Sequence, residues 1–69
     1  MTPQEQAVIG AAKAVVEARK ARYTMDLSFR PNGVSLDQSR KQEWEVVMVE
    51  HSMKIIKLDE ALRAAVEAL

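Results

Sequence analysis

Sixty-nine residues with no cysteine leave room for one small domain and exclude disulfide staples and the usual structural zinc sites. A chain this short buries only about 60 % of its unfolded surface, so it needs very good helix packing or a partner subunit. Ten acidic and ten basic residues cancel, which gives no global field toward nucleic acid or an anionic membrane.

The neutral sum hides an asymmetry. Residues 13–41 carry seven basic groups against three acidic ones, and residues 42–69 carry six acidic groups against three basic ones. That distribution suits either a weak basic patch or complementary surfaces in an assembly. No run approaches the roughly 18 apolar residues of a membrane span, and no signal-peptide pattern opens the sequence. The expected location is therefore cytoplasmic, with no membrane partner.

The first predicted element is an amphipathic helix over about residues 3–22. Thr2 can cap it, Pro3 suits the first helical position, and Glu5 completes a capping box. Ala7, Val8, Ala11, Ala12, Val15 and Ala18 recur at spacings of three and four, with Ile9 and Val16 widening the stripe. Arg19 and Arg22 then fall where the apolar face should continue, which sets the expected end near residue 22.

The period next changes to two. Tyr23, Met25, Leu27 and Phe29 alternate with polar residues, and Val34 and Leu36 alternate after "PNG". Asn32-Gly33 is a strong hairpin signal, because a type I′ turn needs positive φ at both central positions. The expectation is a short β-hairpin over about 24–36, within a hairpin or ordered loop at 23–37. Pro31, which has no N–H for the ladder, argues against it and for an irregular loop.

Residues 38–69 hold no glycine or proline and read as one long helix. Trp44, Met48, His51, Ile55, Leu58, Leu62, Ala65 and Leu69 follow an unbroken 4-3-4-3 spacing, the pattern of a heptad seam. A second stripe, Val46, Val49, Met53 and Ile56, runs on roughly the opposite side. A helix apolar on two faces must be covered on two faces. A compact chain of this length has a diameter of roughly 28 Å, shorter than a 32-residue helix of roughly 48 Å. The seam is therefore assigned to a second copy of the chain, and the second stripe to the first helix or hairpin. The reverse assignment remains open, as does a break near Lys57–Asp59 that would give a monomeric three-helix bundle.

The fold expected from these elements is mainly α, in α-β-β-α order, as a single domain over 1–69 in a helical-bundle or coiled-coil homo-oligomer. The expected function is a non-catalytic protein–protein interaction or assembly module, partnered by itself as a homodimer or by another protein. The eight seam residues are its expected oligomer interface. The alternative is a small dimeric nucleic-acid-binding or regulatory protein using the basic set Arg19, Lys20, Arg22, Arg30, Arg40 and Lys41. That set lacks the aromatic interleaving such a surface needs, so nucleic acid is the lesser expectation.

No cysteine nucleophile, glycine-rich phosphate loop or Ser-His-acid arrangement is present. Glu50 and His51 point about 100° apart on a helix. No enzyme activity, cofactor, metal or small-molecule substrate is expected. His51 is either a core histidine with one hydrogen bond or, across a dimer axis, a pH-sensitive element. Trp44 is either an interface anchor or the cap of an ordinary core.

Overall fold

The computed structural model describes all residues, 1–69, and consists of two antiparallel helices joined by a short loop. Helix α1 spans Pro3–Ser28 and helix α2 spans Lys41–Glu67, with a single 3₁₀ turn, Gln38–Arg40, leading into α2. The hairpin is long and thin, with extents of 49 × 18 × 11 Å and a radius of gyration of 15.5 Å. A globular chain of this length would have a radius near 11 Å.

The start of α1 follows its capping residues. The Thr2 hydroxyl accepts from the Glu5 backbone N–H at 3.1 Å and donates to the Glu5 carboxylate at 3.2 Å. Pro3 takes a position whose N–H would be unpaired in any case. At the other end, the N–H groups of Phe29 and Arg30 turn back onto Asp26 and Leu27 carbonyls, and Pro31 prevents any further helical turn.

The β-hairpin expected at 24–36 does not form, and the α-β-β-α order is corrected to two helices without a strand. Residues 23–28 instead extend α1 well beyond residue 22. Met25 and Phe29 are four apart, so the period-two run also reads as a helical pair. A helix closes its own hydrogen bonds, whereas an isolated two-stranded ribbon is marginal. Arg22 does not stop the helix because it is exposed and keeps its charge in water. Asp26, half-buried, finds a polar partner on α2.

Asn32-Gly33 does make a turn, but of another kind. The Gly33 N–H donates to the Arg30 carbonyl at 2.9 Å, so the turn centres on Pro31 and Asn32. The Asn32 side chain then accepts from the N–H groups of Val34 and Ser35 at 2.9 and 2.8 Å, an Asx-type closure. Gly33 supplies the positive φ, 75°, that leads out of it. The Arg30 guanidinium donates to the Val34 carbonyl at 2.7 Å, engaging an acceptor that a ladder would need.

The loop end is the best-tied part of the molecule. Phe29 is 2 % exposed, and the Arg40 guanidinium lies 4.2 Å from the centre of its ring. The Trp44 indole N–H donates to Asp26 at 2.7 Å across the two helices, while Arg30 donates to the same carboxylate at 3.1 and 3.3 Å. Asp37 caps the entry to α2, accepting from the Ser39 N–H and hydroxyl at 3.1 and 2.6 Å.

These contacts predict an acid response. The hydrogen bonds from Arg30 and then Trp44 hold the Asp26 carboxyl below its ordinary range. Ser39 does the same for Asp37, and Arg40 for Glu43. A carboxyl with a depressed folded pKa contributes stability above its unfolded value, and that stability is lost as pH falls through the folded one. The melting temperature should therefore be nearly flat from neutrality to about pH 5 and should fall below about pH 4. Melting followed by circular dichroism checks this, and Asp26→Asn should reduce the slope.

Candidate interaction surface

The core between the helices is sparse. Val15, Ala18, Phe29 and Met48 are its only buried residues. Alanines on α1 leave little apolar bulk, so α2 supplies the larger side chains.

The seam expected as an oligomer interface lies on the side of α2 that faces α1. Met48 is buried, Trp44, His51, Ile55, Leu58, Leu62 and Ala65 are half-buried, and Leu69 is exposed. α1 covers this row because the helices are 26 and 27 residues long and antiparallel. The chain's own first helix therefore reaches the tail of α2, which the compact-globule estimate had left uncovered. α2 does not break at Lys57–Asp59. His51 makes no hydrogen bond within the fold and sits about one turn from Met48 and two from Trp44 on the seam's side.

The second stripe is the open one. Val46, Val49, Met53 and Ile56 are each between 55 and 60 % exposed, along the outer side of α2. α1 has its own open row: Ile9, Val16 and Tyr23, spaced by seven, followed by Leu27. Ile9 and Val16, expected to widen the covered stripe, are instead exposed, and Tyr23 and Leu27 join them because the period-two segment is helical. The seven-residue spacing was the signal that could have found the row.

The α1 row borders one broad side of the hairpin, and the α2 stripe reaches that side only at Ile56. A cleft on that side is lined by Arg19 and Arg22 of α1 and by Ser52, Ile55 and Ile56 of α2. Val16 and Tyr23 flank Arg19 in an adjoining groove with Lys20 and Thr24. The opposite side is different in character, with Ala14, Glu17, Ala18 and Ala21 facing Lys54 and Leu58. One side thus sets two isoleucines beside two arginines, and the other sets alanines and Leu58 beside Glu17 and Lys54.

The basic set is divided by the fold. Arg30 pairs with Asp26, and Arg40 with Glu43 at 3.1 Å. Arg19, Lys20 and Arg22 share one turn of α1 and form no ion pair, and Lys41 stands apart at the start of α2. A continuous basic surface spanning residues 13–41 is not assembled. No cluster of three or more His, Asp or Glu stands where it could hold a metal ion. Neither helix is long and apolar enough to cross a membrane.

No family model, curated protein or solved structure matches this chain. Functional inference rests on the surface itself. Its accessible area is 5194 Å², whereas a compact monomer of this mass exposes about 4,300 Å². The excess, about 900 Å², is close to the roughly 800 Å² that each partner gives to a standard protein interface.

Proposed function

We propose that this chain is a self-associating protein–protein interaction module with no catalytic chemistry of its own. The observation that carries the reading is the unbroken outer stripe Val46, Val49, Met53 and Ile56, more than half exposed on a helix whose other face is already covered. Contiguous apolar patches of this kind mark interaction sites, because water is a poor neighbour for them. A second copy is the simplest cover, since an isologous contact brings the same stripe from both sides.

Association coupled to folding makes stability depend on concentration. Raising the protein concentration about a hundredfold should raise the melting temperature measurably, by the mass-action shift of a bound partner. Circular dichroism melts at the two concentrations test it. Superimposable curves would count against self-association.

A further inference from the structure

We infer that two copies of the chain pair antiparallel through the outer stripe of α2, with the two-fold axis passing between Val49 and Met53. This rests on the self-association proposed above and fixes the orientation and register of the contact. Gln42 and Glu60 extend the stripe by one position at each end, so that a 4-3-4-3-4 spacing runs from residue 42 to residue 60. At about 100° per residue, both fall on the midline of Val46, Val49, Met53 and Ile56. Both are exposed. The apolar strip is therefore closed by an amide at one end and a carboxylate at the other.

Antiparallel order makes these ends complementary. Val46 faces Ile56 of the second copy and Val49 faces its Met53, so each valine meets a longer side chain. Gln42 faces Glu60, where the amide NH2 donates to the carboxylate. Parallel order would stack Val46 on Val46, Met53 on Met53 and Glu60 on Glu60. The last of these sets two carboxylates together at the midline, a repulsion that antiparallel order removes.

The flanks agree with the midline. One groove beside the stripe is lined by Glu45, Val46, Val49 and Glu50, and another by Glu50, Met53, Lys54, Lys57 and Leu58. Charge along the stripe thus turns from acidic to basic toward the C-terminus. Reversing one copy lays the acidic half of each α2 over the basic half of the other. Glu45, Glu50, Lys54 and Lys57 are all free for this, since the ion pairs of the fold are Asp26–Arg30, Glu43–Arg40 and Asp59–Arg63. Glu50, Lys54 and Lys57 share one flank by the same angular count. The two Glu50 carboxylates approach each other beside the axis, and Lys54 of the opposite copy meets each of them. Glu45 arrives on the other flank, where Asp59 is held by Arg63 at 3.5 Å and Arg19 and Arg22 stand across Ser52 and Ile56. Parallel order would instead set Glu45 of each copy beside Glu50 of the other.

The test is disulfide trapping, which suits a chain without cysteine. Gln42→Cys and Glu60→Cys, both on exposed positions, are prepared separately, mixed in equal amounts and oxidised, and the products are identified by mass. The antiparallel register predicts the mixed disulfide as the dominant product, well above the half that random pairing gives. Each variant alone should remain largely unlinked. Its two cysteines would lie about 27 Å apart along the axis, against the roughly 7 Å between Cα atoms that a disulfide tolerates. Circular dichroism and sedimentation of the reduced mixture establish that the variants keep the fold and the dimer. Disulfides of each variant with itself would show parallel order and overturn the inference. A dimeric mixture that yields no disulfide, or random proportions, would place the contact elsewhere, overturning the register and leaving self-association standing. A monomeric wild type would overturn both.

Discussion

Phe29→Ala should unfold the hairpin or leave it close to unfolding at room temperature. Phe29 is the most deeply buried side chain, at 2 % exposure, and one of only four buried residues. Truncating a buried phenylalanine costs about 3–5 kcal/mol, whereas a chain of this length has a total stability of roughly 3–10 kcal/mol. Its loss also removes the ring beneath the Arg40 guanidinium, and with it the anchor of the loop between the helices. Urea titration followed by helical ellipticity is the measurement. Leu at this position fills much of the space and should restore most of the stability. A Phe29→Ala variant with an unchanged urea midpoint would mean that the core lies elsewhere.

Val49→Gln together with Ile56→Gln should disperse the assembly while leaving the hairpin folded. Both side chains are more than half exposed in the single chain, so replacing them takes little from its own core. Burying the exposed part of each in a dimer is worth about 1 kcal/mol, or about 4 kcal/mol for the four side chains of two copies. Self-association should weaken roughly a thousandfold. Helicity at low concentration should be retained, and the concentration dependence of melting should disappear. Unfolding of this variant at all concentrations would indicate that the stripe serves the fold of the single chain, against its exposed position.

The sequence showed some of this fold and concealed the rest for identifiable reasons. The start of α1 was legible because Thr2, Pro3 and Glu5 act locally, and α2 was legible because nothing in 41–67 interrupts it. The two apolar faces of α2 were also readable from spacing alone, but which face α1 would cover was not. That depended on the length of α1, which the polar positions Arg19 and Arg22 obscured. An arginine on a helix edge can reach solvent, and Asp26 is answered by Trp44 from another element. Neither fact is visible from local periodicity. The strand reading of 23–29 failed for a related reason: a period of two over seven residues also contains the four-residue spacing of Met25 and Phe29. The Asn32-Gly33 signal was sound as a turn and misplaced as a hairpin centre, since Pro31 opens the turn that forms.

The candidate surface was partly legible in the same sense. Val46, Val49, Met53 and Ile56 stood out as a stripe, and the imbalance of charge between the halves suggested complementary surfaces. The eight seam residues drew the interface assignment because their heptad spacing is the longer one. A long antiparallel neighbour satisfies that spacing as well as a second chain does. Only the placement of α1 separates the two cases.

The most direct measurement is the mass of the wild-type particle in solution at micromolar concentration, by sedimentation equilibrium at physiological salt. A single chain has a mass of 7.7 kDa. Self-association through the open faces predicts a particle of about twice that mass, dissociating on dilution and weakening as salt screens the exposed charges. A fully helical, stable particle of 7.7 kDa at every concentration would contradict it.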